Sequence, residues 1–159
     1  LKALAQRAPG KLRGVGLDIS REAVEAARRN APPGIEFVQA DAMDGCTALP
    51  RADVVMCSLF LHHLETARVP PLLARMGRAA RRLVLASDLE RSALNWLLVG
   101  AAARIATRSP IVHVDSLRSV EAAWTKRELR ALALRAGLHG VEVHRRFPAR
   151  LLLVARPQR

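Results

Sequence analysis

The sequence predicts an α/β fold: a doubly wound, mostly parallel sheet closing on one antiparallel hairpin. Three observations carry this. Short apolar runs of strand length alternate with helical segments along most of the chain. Three of those runs stop at an aspartate, Asp18, Asp41 and Asp88, and the first two stand at the ends of consecutive strands, on the edge where open α/β sheets bind ligands. The last two runs, Val141 to His144 and Leu151 to Ala155, are separated by a link through Phe147, Pro148, Ala149 and Arg150. That link is too short for a parallel crossover, so they must pair antiparallel. Half of the 159 residues are hydrophobic, enough for a real core, and the whole of 1–159 is expected to form a single domain.

Taken in order, residues 1–8 read as the end of a helix stopped by Pro9 and Gly10. Leu12 to Ser20 follows as a strand, with Val15 and Leu17 as its buried apolar marks and Asp18 at its end. Ser20 is placed to cap a helix from Arg21 to Asn30, with Glu22 in the first turn, where a carboxylate suits the helix dipole. Ala23, Val24, Ala26 and Ala27 are expected to face inward. Pro32, Pro33 and Gly34 break that helix. Ile35 to Ala40 alternates as a second strand, and Asp53 to Ser58 is a short buried one. Pro70 to Ala80 is predicted helical, and Arg82 to Ser87 is the next strand. Ser92 to Thr107 is a helix apolar nearly all round, expected to be buried, to cover a hydrophobic acceptor, or to rest on a membrane surface. Ser109 and Pro110 are expected to end it, and Ile111 to Ala123 has no clean period. Thr125 and Glu128 form a capping box opening a helix that Gly137 stops.

The formal charge of +12 invites a nucleic-acid reading. The cations are 23 Arg against 3 Lys, scattered along the chain, and with no tyrosine and few aromatics there is no platform for stacking bases, so no nucleic-acid partner is expected. Cys46 and Cys57 have neither disulfide nor metal-ligand spacing, and no metal site is expected. No leader-like segment is present and no apolar run approaches the ~20 residues of a membrane span. We expect a cytoplasmic protein, with weak peripheral membrane contact left open by the apolar late helix.

Asp18 and Asp41 stand at the ends of consecutive parallel strands, on the same sheet edge. One carboxylate can accept from a ribose diol while the other accepts from the exocyclic amine of a base. The backbone at Ala42 can complete an adenine contact, and Ile19 offers an apolar face. The stretches Gly16–Ser20 (GLDIS), Gln39–Ala42 (QADA) and Asp53–Leu64 (DVVMCSLFLHHL) resemble, in this order and spacing, three successive motifs of class I S-adenosylmethionine-dependent methyltransferases. They are most similar to the branch that includes the ubiquinone and menaquinone biosynthesis enzymes. The resemblance implies a Rossmann-like fold and S-adenosylmethionine as cofactor, with Asp18 on the ribose, Asp41 and Ala42 on adenine, and Ser58 as a further contact. It also implies a glycine-rich loop after a first, central strand. That loop is not in this sequence, and it is expected ahead of residues 1–8; without its strand the sheet should fall into two pieces.

His62 and His63 follow the third strand at the crevice edge, and His62 is the preferred base or acceptor-orienting residue. His113, with Asp115, is the second candidate. Trp96 and Trp124 are expected in the core, with an apolar pocket as the alternative. The function expected is methyl transfer to a small apolar or aromatic acceptor. The alternatives are a non-catalytic methyltransferase-like binding domain and a nicotinamide-dependent oxidoreductase, the latter opposed by Asp41 and the terminal hairpin.

Overall fold

The computed structural model describes residues 12–45, 48–107 and 109–157. The residues predicted as an N-terminal helix, 1–8, lie outside these. The chain divides into two compact units at Pro50 and Arg51.

In the first unit, β1 (Gly14–Asp18), α1 (Arg21–Arg29) and β2 (Ile35–Gln39) form one crossover unit. The two strands pair parallel, with Gly14 opposite Ile35 and Asp18 opposite Gln39. Ser20 caps α1 by accepting from the Ala23 amide at 3.1 Å. Its hydroxyl also donates to Glu22, and Glu22's own amide and this hydroxyl hold that carboxyl below its ordinary range. Val24 and Ile35 are buried. Val15, expected inside, is 41 % exposed, and Val38 equally so. The register explains this: Val15, Leu17, Glu36 and Val38 share one face of the ribbon, opposite the face that carries buried Ile35. Ala23 and Ala26 are exposed too, so α1 buries a narrower stripe than predicted, centred on Val24. Gly34 has φ +81°, and a Cβ there would lie 2.9 Å from the Leu12 carbonyl oxygen, so the turn into β2 requires glycine.

The second unit holds β3 (Ala52–Ser58), α2 (Val69–Ala79), β4 (Ala80–Leu89), α3 (Ala93–Ala106), α4 (Pro110–Ala122), α5 (Lys126–Arg135), β5 (His139–Arg146) and β6 (Arg150–Arg156). Its sheet runs β3-β4-β6-β5. β3 and β4 are parallel, and β6 is antiparallel to both β4 and β5, as the short link requires. The described residues thus carry two sheets, a two-stranded and a four-stranded one. Along β4, Val84, Ala86 and Asp88 are buried, and so is Glu90 just past its end; along β6 the buried positions are Leu151, Leu153 and Ala155. The apolar members of these rows join Leu61, Leu72, Leu73 and Leu129 in the core, each large side chain contributing about 1.5–3 kcal/mol by leaving water. The predicted capping box is present: the Glu128 amide donates to Thr125 Oγ1 and the Thr125 amide to Glu128 Oε2, at 3.3 and 2.8 Å. The Thr125 amide is the main reason the Glu128 carboxyl is held below its ordinary range, with Arg91 adding to it. Gly137 takes φ +77° just past α5.

Two late segments differ from expectation. Pro110 does not merely end a helix. It sits in the first turn of α4, where a missing amide hydrogen and a fixed φ do no harm. And α3 is not buried all round: Leu94, Trp96, Leu97 and Leu98 are exposed, while Asn95, Gly100 and Ala103 face inward. Small residues and one amide, not the leucines, make the packed face of α3, which is why a nearly uniform apolar pattern could not reveal it. No helix among the described residues is long and apolar enough to cross a membrane.

Candidate functional site

In the first unit the carboxyl edge of the β1–β2 ribbon carries two acids. Asp18 Oδ1 accepts from the Ser20 amide at 2.9 Å, and Asp41 Oδ1 accepts from the Met43 amide at 2.7 Å. Each carboxylate is therefore oriented by its own turn through one oxygen, while the other has no partner among the described residues. Both acids are exposed. Strand register fixes their relation: the Ala40 amide donates to the Asp18 carbonyl at 3.0 Å, and Gln39 Nε2 to the Ile19 carbonyl at 3.2 Å. Ile19, 67 % exposed, projects an apolar side chain at the same edge. Ala42 follows Asp41 in a turn closed by the Asp44 amide on the Asp41 carbonyl. Acceptor oxygens beside an exposed isoleucine fit the hydroxyls, amine and flat base of an adenosine group. The structure brings Asp18, Ile19, Asp41 and Ala42 together here.

In the second unit, Ser58 ends β3 and is exposed. Leu59 then adopts φ +52°, a left-handed conformation that a leucine holds at a cost of about 1–3 kcal/mol. Its amide still reaches the Ser87 carbonyl of β4 at 2.8 Å. The turn Leu61–His63 follows, anchored by Leu61, which has no exposed surface. That anchor swings His62 onto the end of β4. His62 Nδ1 lies 2.5 Å from Asp88 Oδ1, and the His62 amide donates to Asp88 Oδ2 at 3.2 Å. The Leu89 amide gives Asp88 Oδ1 a further bond at 2.7 Å. Asp88 is 1 % exposed and His62 8 %. With Nδ1 facing a carboxylate, the neutral ring keeps its proton there and Nε2 is the acceptor. Burial, with the Asp88 charge adding to it, pushes the Cys57 thiol up to about 12, so it stays protonated.

His62 and its neighbour His63, ring centroids 4.0 Å apart and planes tilted by 40°, line a cavity of about 350 Å³ within this unit. Leu59, Leu89, Val99 and Val120 make its wall apolar. Ser116 and Ser119 of α4 and Arg150 of β6 supply the remaining polar groups.

His113, the second histidine expected at the site, does not line this cavity: its Nε2 lies 2.8 Å from the Thr107 carbonyl, tying the start of α4 to the end of α3. Asp115 is exposed. Trp124 is buried, as expected, and its Nε1 has no hydrogen-bond partner among the described residues. Trp96 is 45 % exposed, not in the core, and lines a second, smaller cavity with Ser92, Val120 and Glu121. Sequence reasoning assigned Asp88 no role, although it ends a parallel strand as Asp18 and Asp41 do, and that shared position was the signal that could have found it. No cluster of three or more potential metal ligands occurs among the described residues.

A family profile described as a methyltransferase domain matches residues 1–82. No curated protein matches the chain. Solved structures do, at fold level. Human N-acetylserotonin methyltransferase, in complex with SAM, is 18 % identical with a TM-score of 0.71, over 99 % of this chain and 44 % of its own. An O-methyltransferase family 2 protein from Planctomyces limnophilus, in complex with apigenin, is 18 % identical with a TM-score of 0.69, over 98 % and 45 %. The plantazolicin methyltransferase BpumL, in complex with a triazolic desmethylPZN analog and SAH, is 13 % identical with a TM-score of 0.73, over 99 % and 72 %. The chain thus spans somewhat less than half the length of the first two. With 82 of its 159 residues matched by the domain profile, and a fold shared with these enzymes, the chain belongs to the class I S-adenosylmethionine-dependent methyltransferase family.

Proposed function

We propose that the protein transfers a methyl group from S-adenosylmethionine to a hydroxyl oxygen of a small acceptor with an apolar or aromatic body. The observation that carries this reading is the buried His62–Asp88 pair at the edge of a mostly apolar cavity. Asp18 holds the ribose hydroxyls, Asp41 and the Ala42 backbone hold adenine, and Ile19 covers the base. When bound, S-adenosylmethionine supplies a methyl group on a sulfonium, which departs as the neutral thioether of S-adenosylhomocysteine. His62 Nε2 takes the acceptor's hydroxyl proton as the oxygen attacks, and Asp88 steadies the imidazolium that forms. The apolar wall excludes water and aligns the acceptor; alignment of this kind contributes up to about 7–11 kcal/mol of the barrier. His113 is a positioning residue, holding the α3–α4 connection in the place that shapes the cavity.

Calorimetric titration of the protein with S-adenosylhomocysteine tests the reading. Saturable binding supports it, and no heat at high micromolar ligand would sink it. Where turnover with a hydroxylated aromatic is detected, His62→Asn is expected to lower kcat by about 10²–10⁴; an unchanged kcat would remove His62 from the base role.

A further inference from the structure

Among the described residues lining the His62 cavity, Arg150 is the only one with a permanent charge. It opens β6, paired with Leu89 of β4 on one side and Arg146 of β5 on the other. It is half-buried, and among the described residues its guanidinium forms no ion pair or side-chain hydrogen bond. The acids at the end of β4 are already engaged. Asp88 is held by His62 and two backbone amides, and Glu90 accepts from Arg145 Nε at 2.6 Å. The described residues of the cavity lining include no carboxylate. A part-desolvated cation facing an apolar wall without a partner is an unmet demand for an anion.

The other polar groups do not meet that demand. Ser116 Oγ donates to the Val112 carbonyl at 2.6 Å and Ser119 Oγ to the Asp115 carbonyl at 3.0 Å, so both hydroxyl hydrogens are engaged within α4. His62 gives its ring proton to Asp88, and His63, packed against it at a tilt, carries no permanent charge. Arg150 is therefore the cavity's donor for a negative group, and its planar fork suits a carboxylate. One cation matches one charge, which favours a carboxylate over a phosphate monoester carrying about −1.5 to −2. We propose that Arg150 selects acceptors that carry a carboxylate on the same aromatic body as the hydroxyl to be methylated: hydroxylated aromatic acids. The proposal rests on the reading of this cavity as the acceptor site.

Two probes that differ only in the carboxylate test it: catechol and 3,4-dihydroxybenzoate, titrated calorimetrically into the full chain at low salt with S-adenosylhomocysteine present. The acid is expected to bind about tenfold tighter or more. Arg150→Gln should bring the acid to the level of catechol, leave catechol unchanged, and leave the affinity for S-adenosylhomocysteine unchanged. Arg150→Lys should keep part of the preference. Equal binding of the two probes by the unaltered protein, binding of neither, or a preference that survives Arg150→Gln would overturn the role of Arg150. The comparison on the unaltered protein stands even where a variant fails to fold. Binding of S-adenosylhomocysteine in the same samples separates the outcomes: retained, with no probe preference, only Arg150 is misassigned; absent, the methyltransferase reading itself fails.

Discussion

Asp18 and Asp41 in the first unit and Asp88 in the second all close parallel strands, yet their surroundings differ sharply. The first two are exposed, and each is oriented through one oxygen by an amide two residues on. Asp88 is 1 % exposed and binds a histidine 26 positions away in sequence, along with two amides. The same residue type at the same kind of position thus serves two ends. A strand-end carboxylate left in water keeps an oxygen for a ligand. One that is buried is taken up by a protein partner, and it acts on a ligand only through that partner.

The contrast predicts unequal responses to substitution. The largest belongs to Asp88→Ala, which strips the His62 ring, the buried His62 amide and the part-buried Leu89 amide of their acceptor; a loss of about 3–5 kcal/mol in urea-unfolding free energy is expected. A loss below about 1 kcal/mol, comparable to that of an exposed aspartate, would erase the contrast. Gly34→Ala comes next. It forces an alanine to φ +81° with its Cβ against the Leu12 carbonyl, and about 1–3 kcal/mol is expected, seen as faster amide exchange across β1 and β2. Thr125→Ala removes the α5 cap and should cost about 0.5–2 kcal/mol. The Thr125 amide, which alanine keeps, is the main reason the Glu128 carboxyl is held low; that contribution is present at neutral pH and is lost as pH falls through the acid range in both proteins, so most of the gap in melting temperature between Thr125→Ala and the unaltered protein should persist at low pH. The smallest effect is chemical. With its thiol raised to about 12, Cys57 should resist iodoacetamide at about pH 8 in the native protein and react in urea, as read by mass spectrometry.

How much of this was legible depended on range. The strand-end acids, the Ser20 cap, the Thr125–Glu128 box and the closing hairpin are written within a few residues, and each sits where local chemistry puts it. Helix α4 was missed because Pro110 reads equally as a stop and as a first-turn residue, and because Ile111, Val112 and Val114 lie exposed, leaving no apolar stripe to count. The exposed face of α3 was hidden for the converse reason: its leucines point to water and its small residues pack inward. The His62–Asp88 pair depends on β3–β4 register and on the left-handed turn at Leu59, neither of which leaves a local mark. Arg150 faces the cavity only through the β4–β6 pairing. His113 was singled out from its local pattern, and its 2.8 Å contact with the Thr107 carbonyl, six positions back, left no mark in that pattern.

The central claim is that the exposed acids of the first unit hold the nucleoside. Equilibrium binding of S-adenosylhomocysteine to the unaltered protein and to Asp18→Ala tests it most directly. The account predicts an affinity lowered about tenfold or more, with the melting temperature unchanged, because the exposed carboxylate serves the ligand and not the fold. Unchanged affinity in the folded variant would contradict it.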